Sequence, residues 1–186
     1  MQKFELSTAF KNVPETSIDY IQNQVFSDDP GGLRDGLSAM TVNILHYKHD
    51  PALYVNMMDR LTNPHAAPFP SIRADTMSWA GVIIREHAAL NVSAPHEPFT
   101  DILNRALHSD PDTHPQEAAV EAVTIALSTR DGLFPVFKSG LMSLWDRDDL
   151  DPQIQQAIHT LIETYGDISS LPQLDADDCS VPEPSS

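Results

Sequence analysis

The chain has 186 residues, of which 27 are acidic and 11 are basic, so its formal net charge is −16 at pH 7. Nucleic-acid binding relies on lysine and arginine at the phosphates, so this balance disfavours a direct nucleic-acid partner and an anionic membrane surface. It favours basic protein surfaces, through long-range attraction. The 15 prolines, together with few alternating β-branched runs, favour helices separated by proline over sheet.

Cysteine usage and hydropathy bear on the location of the protein. Cys179 is the single cysteine, and one cysteine can form neither an internal disulfide nor a thiolate metal site. The N-terminal residues lack the apolar segment of a signal peptide. The most apolar run, residues 79–84, is too short to span a bilayer. We therefore expect a reduced, cytoplasmic location without membrane association.

Four helices are predicted in the first half of the chain. They begin near Pro14, after the turn at residues 27–32, after Pro51, and at Ser71. Each carries apolar residues at three- and four-residue spacing, which places them on one helix face. On this pattern Tyr47 and Leu53 point inward, and the fourth helix continues to about residue 90.

Four further helices are predicted in the second half. They begin near Phe99, at Pro115, at Asp131 or Pro135, and at Pro152. The second of them, over residues 115–128, has an alanine-rich face, so a neighbouring helix can approach it closely. The last one stops at Gly166. We assign residues 1–166 to a single helical domain and residues 167–186, which are acidic and rich in proline and serine, to a flexible, disordered tail.

Proline recurs near the helix starts in two interleaved series. Pro30, Pro70, Pro115 and Pro152 open the second helices of successive pairs, and Pro14, Pro51, Pro98 and Pro135 lie near the starts of the first helices. Neighbouring members of a series are roughly 40 residues apart, a period within the range of helical-repeat proteins. The pattern predicts an α-α superhelix of about four stacked helical hairpins.

The starts of these second helices resemble the HEAT-repeat family, in which proline is often followed by an aliphatic residue, arginine and small residues. The run Pro70-Ser71-Ile72-Arg73-Ala74 follows that order, and Leu33-Arg34 follows it with one residue inserted after Pro30. The runs from Pro115 and Pro152 keep only part of it. The resemblance covers about residues 14–166 and implies a HEAT-like solenoid. An irregular eight-helix bundle is the alternative, because strict repeat identity is absent.

The sequence contains no recognised catalytic motif. A phosphate-binding glycine loop, a nucleophile elbow and the paired zinc-ligand motifs are all absent. We therefore expect neither enzymatic activity nor a cofactor. The HEAT-like alkylpurine DNA glycosylases need a basic groove. The few basic residues here are scattered singly along the chain, which disfavours this enzyme class.

Histidine pairs are the remaining candidates for metal binding. His46 and His49 are three residues apart and could chelate a divalent metal on a helix, but a turn at Asp50 favours a surface pair. His114 and Glu117 form a pair at a helix start, where Glu117 is expected to interact with the helix N-terminus. His159 and Glu163 form a pair that is expected on an exposed face. His87 is expected in the core with a hydrogen bond.

The two tryptophans lie at apolar positions of predicted helices. For Trp79 and Trp145 we expect core packing, with a role as a binding hot spot as the alternative.

Charge distribution directs the functional prediction to the C-terminal end. Ten acidic residues lie from Met142 onward, against the single basic residue Arg147. We expect a protein-interaction module that binds a basic protein, for example as an inhibitor or immunity protein. A DNA mimic, an unrecognised enzyme or small-ligand binder, and a homo-oligomer are the alternatives. The candidate partner-binding residues are Asp146, Asp148, Asp149 and Asp151.

Overall fold

The computed structural model describes residues 13–87, 98–145 and 147–166, and over these residues it contains helices and no strand. The α-helices are α1 Ile18–Val25, α2 Pro30–Leu45, α3 Val55–Thr62, α4 Pro70–Glu86, α5 Pro98–Ser109, α6 Thr113–Leu127, α7 Phe134–Trp145 and α8 Pro152–Tyr165. Short 3₁₀ helices, Pro51–Tyr54 and Asp131–Leu133, precede α3 and α7. The all-α prediction is confirmed. The predicted tail, residues 167–186, lies outside the described residues.

The helices pack in consecutive pairs, α1 with α2, α3 with α4, α5 with α6, and α7 with α8. The first helices of the pairs also contact one another in chain order, α1 with α3, α3 with α5, and α5 with α7. The second helices do the same, α2 with α4, α4 with α6, and α6 with α8. Apolar side chains buried between these helices form one cluster, from Ile21 in α1 to Ile162 in α8.

Aspartate caps and prolines account for several of the helix starts. The carboxylates of Asp29, Asp50 and Asp151 each accept a hydrogen bond from a backbone N–H of the helix that follows. Such caps satisfy amides that have no partner within the helix. Proline then occupies the first position of α2, α4 and α8, where its missing N–H costs nothing. The side-chain caps therefore mark the starts of α2, of α8 and of the 3₁₀ helix before α3, whereas α4 and α6 begin without one.

Two residues predicted to point inward are exposed. Leu53 lies in a 3₁₀ helix rather than an α-helix, and the tighter turn directs Tyr54 into the core and leaves Leu53 54% exposed. Helix α2 ends at Leu45, and Lys48 then adopts a positive φ of 61°. Tyr47 consequently lies at the surface, where its hydroxyl donates to the carbonyl of Val13 at 2.8 Å.

Helix boundaries also differ from the predicted ones. Helix α1 begins at Ile18 rather than near Pro14, and α2 begins at Pro30, within the turn predicted at residues 27–32. Helix α4 ends at Glu86, and residues 88–90 lie outside the described residues. Helix α6 begins at Thr113, two residues before Pro115. Proline is tolerated there because the amides of the first helical turn have no helical acceptor. The shift makes Gln116 the fourth residue of α6.

The alanine face of α6 packs against α4, as predicted. A Cβ atom at Gly81 of α4 would lie 2.5 Å from the carbonyl oxygen of Ala122 and 2.7 Å from its Cα. The two backbones can approach this closely only because Gly81 has no side chain and Ala122 a small one. This contact joins the second and third helical pairs.

None of the described helices combines the length and the apolar composition required to cross a membrane.

Candidate functional site

The turns within the helical pairs lie along one side of the molecule. Arg60, near the end of α3, donates to the carbonyl of Val25 at 2.9 Å and lies 3.4 Å from the Asp28 carboxylate. Arg73, near the start of α4, reaches Asp110 in the α5–α6 turn. Since each contact joins one such turn to the next pair, we name residues 26–29, 63–69, 110–112 and 147–151 the turn edge.

A buried ionic cluster lies at the centre of the turn edge. The side chain of Arg73 is 1% exposed and that of Asp110 is 2% exposed. Arg73 Nε and Nη2 donate to the two Asp110 oxygens at 2.9 and 3.0 Å, and Nη1 donates to the carbonyl of Ala67 at 2.8 Å. Nη2 also contacts the carboxylate of Asp112. The guanidinium therefore bridges the α3–α4 and α5–α6 turns.

Protonation of Arg73 is maintained by this cluster. Burial lowers the pKa of the guanidinium, but hydrogen bonds and charge from Asp110 and Asp112 outweigh burial and raise it. The cluster also organises its own turn, because the backbone N–H of Asp112 donates to Asp110 at 3.0 Å. Its acidic groups are consequently engaged in holding the structure together.

The fourth residue of three second helices makes the same kind of contact. Arg73 of α4 and Gln116 of α6 each donate to the carbonyl six residues earlier, at 2.8 and 2.9 Å. Gln155 of α8 donates to the carbonyl of Arg147 at 2.9 Å. Gln116 also accepts a hydrogen bond from the Arg147 side chain in the next turn. A polar side chain thus joins each of these turns to its helix. Arg73 and Gln116 also contact the turn of the following pair.

The predicted acidic site at the C-terminal end divides into residues with different roles. Asp149 receives two hydrogen bonds from Arg147, at 2.9 and 2.6 Å. These bonds lower the pKa of the Asp149 carboxyl and raise that of Arg147. Asp151 caps α8. Asp148 is exposed and forms no hydrogen bond or ion pair with the described residues. Asp146 lies outside the described residues.

Acidic residues concentrate at the turn edge, beyond the four predicted ones. In its described turns the acidic residues are Asp28, Asp29, Asp110, Asp112, Asp148, Asp149 and Asp151. Arg147 is the single lysine or arginine in the same residues, and the α3–α4 turn carries neither sign. Asp28 is fully exposed. The turn edge is therefore negatively charged in the turns of the first, third and fourth helical pairs.

The opposite ends of the helices carry a smaller excess of negative charge. Among the described residues there, the basic residues are Lys48, Arg85 and Arg130, and the acidic ones are Glu15, Asp50, Glu86 and Asp131. Arg130 donates to the carbonyl of His87 at 2.7 Å, which joins the α6–α7 turn to the end of α4. The excess of negative charge is thus larger at the turn edge than at the opposite ends.

A groove lies between the first helices α3, α5 and α7. Its volume is about 590 Å³. Val55, Ile102 and Val136 give it apolar walls, and Asp59 and Arg105 form an ion pair across it. A groove with this lining can accept an apolar side chain or a small ligand.

The candidate metal pairs have other partners. His49 does not pair with His46; its Nε2 lies 2.7 Å from Glu15 Oε1 and its Nδ1 lies 2.7 Å from the Tyr54 hydroxyl. The buried Asn43 amide donates to the same hydroxyl at 3.1 Å. Burial raises the Tyr54 pKa, Asn43 counteracts this in part, and Glu15 adds to it. Through Glu15, these contacts hold the described residues before α1 near the end of α2.

The other three histidines considered as candidates lie just after α4, near the start of α6 and within α8. His159 Nδ1 lies 3.1 Å from Glu163 without forming a hydrogen bond, and its ring stacks on Trp145. Glu117 accepts a backbone hydrogen bond from Asp151 at 3.4 Å rather than pairing with His114. His87 is half-buried, and its Nδ1 has no hydrogen bond to the described residues. In the described part of the chain no three potential metal ligands come together.

Both tryptophans pack against the core but remain half-buried. Trp145 lies between α7 and α8. Trp79 lies at the groove between α2 and α4, beside Asp75. Core packing therefore accounts for part of each ring, and part of Trp79 faces a cavity.

The sequence interpretation missed the acidic partners of Arg73. A signal was present, because arginine at a position of the apolar stripe between Ile72 and Ala74 must find a counter-ion. Which acid would reach it depended on the packing of α4 against the α5–α6 turn.

The fold places the chain among all-α proteins. Comparisons with protein-family models, with curated proteins and with solved structures found no match.

Proposed function

We propose that this chain is a non-catalytic protein-interaction module that binds a basic protein through the turn edge. The observation that carries the proposal is the concentration of carboxylates in the turns within the pairs, where Arg147 is the single lysine or arginine among the turn residues and Arg60 and Arg73 contact the turns from neighbouring helices. Fields from clustered charges of one sign accelerate and orient encounters with partners of opposite sign. An inhibitor or immunity protein of the cytoplasm is the most specific form of this role.

Exposure decides which carboxylates would meet the partner. Asp28 and Asp148 are exposed, and Asp149 is exposed beside Arg147. Asp110 is buried against Arg73 and is excluded. The contact surface therefore comprises the α1–α2 and α7–α8 turns. Between them lie the uncharged α3–α4 turn and the α5–α6 turn, whose Asp110 and Asp112 pair with Arg73.

The architecture we propose for this surface is the HEAT-like superhelix of four hairpins. Chain-order contacts within the first helices and within the second helices support it. The matching contacts of Arg73 and Gln116, each to the carbonyl six residues earlier, support it as well. In such a stack the turns of successive hairpins form one continuous edge.

The α3–α5–α7 groove favours a second candidate, small-ligand binding. Its apolar walls and the Asp59–Arg105 ion pair suit a ligand with an apolar body and a polar group. A DNA mimic has less support, because it requires evenly spaced carboxylates and the α3–α4 turn has none.

A capture experiment with matched variants tests the main proposal. The edge variant carries Asp28→Asn, Asp148→Asn and Asp149→Asn; the control carries Asp19→Asn, Asp101→Asn and Glu121→Gln, which change the net charge equally on exposed helix positions. We expect the wild type and the control to retain one basic protein from cell lysate in stoichiometric amount, and the edge variant to lose it. The association rate should fall as salt rises.

Two results would contradict the proposal. One is a partner that is retained equally by the edge variant and the control. The other is the recovery of the chain alone, in which case light scattering distinguishes a monomer from a homo-oligomer and a thermal-shift screen of metabolites tests the groove.

A further inference from the structure

A notch between α2 and α4 is lined by charged and aromatic side chains that the packing of the two helices does not require. Its volume is about 180 Å³, the size of one large side chain. The residues that line it are Arg34, Leu37, Ser38, Thr41, Asp75 and Trp79. Leu37 and Thr41 are buried and form its floor, while Asp75 and Ser38 are exposed at its rim.

Trp79 is the unusual residue of this notch. It is the tenth residue of α4, and the tenth residues of α2, α6 and α8 are Ala39, Ala122 and Leu161. The other second helices therefore pack without an aromatic side chain at this position. Thr76, Ala80 and Ile83 around it are fully buried, whereas Trp79 stays half-buried. The exposed part of the indole is available to a partner.

The notch carries one acidic and one basic side chain, and the acidic one lies beside the indole. Asp75 lies one helical turn before Trp79, and its carboxylate forms no ion pair or hydrogen bond with the described residues. Arg34, the cation of the notch, donates from Nη2 to the hydroxyl of Ser71 at 3.1 Å and forms no ion pair with Asp75. An aromatic face beside an unpaired carboxylate attracts a cation.

We propose that this notch binds the side chain of an arginine presented by a basic protein partner. A planar guanidinium can lie on the indole face of Trp79 and direct its N–H groups to Asp75 and to the Ser38 hydroxyl. Lysine offers a point charge that matches the ring less well. The inference rests on the proposed function, since it specifies one contact of the same basic partner. It adds a contact surface on the second helices, distinct from the turn edge.

Fluorescence anisotropy of a labelled peptide tests the inference directly. The probe is a short peptide of consecutive arginines flanked by glycines, and the controls replace arginine by lysine or by uncharged citrulline. We expect saturable binding of the arginine peptide, weaker binding of the lysine peptide and none of the citrulline peptide. Absence of saturable arginine-peptide binding up to millimolar protein overturns the inference.

Variants of the notch should change the affinity for the arginine peptide in opposite directions. Asp75→Asn should weaken arginine-peptide binding about fivefold and Trp79→Ala about tenfold, because each removes one attractive group. Arg34→Gln should strengthen it about twofold, because it removes a like charge. Unchanged or weaker binding in Arg34→Gln would show that Arg34 does not oppose the peptide as a like charge and would refute the inference. Circular dichroism checks that each variant is folded, and Trp79→Phe replaces Trp79→Ala if the latter unfolds.

The edge variant separates this inference from the proposed function. If Asp28→Asn, Asp148→Asn and Asp149→Asn together abolish peptide binding while the notch variants leave it unchanged, the notch inference fails and the proposed function stands. If neither arginine peptide nor any basic protein binds the wild type, both fail.

Discussion

The guanidinium of Arg73 is removed from water, yet all of its hydrogen-bonding atoms meet protein oxygens. Asp110 contributes both carboxylate oxygens, and Ala67 and Asp112 contribute the others. A buried charge with this many partners stabilises specific contacts between turns, whereas a buried charge without them is strongly unfavourable. The same reasoning explains why Gln116, with a neutral amide, can take the equivalent position in α6.

Arg73→Met should destabilise the protein by about 3–5 kcal/mol, because it leaves the Asp110 carboxylate buried without its counter-ion. Urea unfolding followed by circular dichroism measures this. Arg34→Met, at an exposed arginine of α2, is the control and should stay within about 0.5 kcal/mol.

If Arg73→Met does not fold, Arg73→Lys keeps the charge but loses the forked hydrogen bonds and should give a smaller loss. A loss below about 1 kcal/mol for Arg73→Met would show that the cluster contributes little to stability.

At the scale of helices, the close contact of α4 with α6 depends on residues with almost no side chain. Gly81 and Ala122 let α4 and α6 approach until a Cβ at Gly81 would meet the Ala122 carbonyl at 2.5 Å. Close approach increases van der Waals contact along both helices, which offsets the conformational cost of glycine within a helix. The alanine-rich face of α6 thus sets the short distance between α4 and α6 in the middle of the molecule.

Gly81→Ala should destabilise the protein by about 1–3 kcal/mol, because the added methyl group collides with backbone that cannot move independently. The urea midpoint reports this change. Gly132→Ala is the matched control, since no heavy atom lies within 4 Å of a Cβ there, and its stability should stay within about 0.5 kcal/mol of the wild type. Equal stability of the two variants would contradict the close approach of α4 and α6.

For the molecule as a whole, contacts between successive pairs determine how stability is distributed. Helices α4 and α6 each pack against helices on both sides along the chain, whereas α1 and α8 belong to the terminal pairs. A stack in which each unit contacts its neighbours has a stability close to a sum of unit and interface terms. The ends then open more readily than the middle.

Backbone amides of α4 and α6 should exchange with solvent at least about tenfold more slowly than those of α1 and α8. Hydrogen exchange followed by mass spectrometry measures this. Gly81→Ala should reduce the protection of α4 and α6 most strongly. Uniform protection across the eight helices would instead indicate one all-or-none opening.

The sequence by itself determined the helical class, the order of the pairs and the capped turns. Three-to-four spacing of apolar residues, proline at helix starts and aspartate caps are local properties, and they act before any two distant residues meet. The departures were local as well. Leu53 and Tyr47 point outward because a 3₁₀ helix and an early end of α2 change the side-chain direction that regular α-helical spacing predicts.

Only the tertiary structure decided which charges are structural and which are exposed. Asp110 and Asp112 look like surface acids in the sequence, but the packing of α4 against the α5–α6 turn brings Arg73 to them. Asp149 is held by Arg147, while Asp148 beside it contacts no described residue. The notch at Trp79 likewise exists only where α2 meets α4. Burial and pairing depend on residues far apart in the chain, so spacing along the sequence cannot specify them.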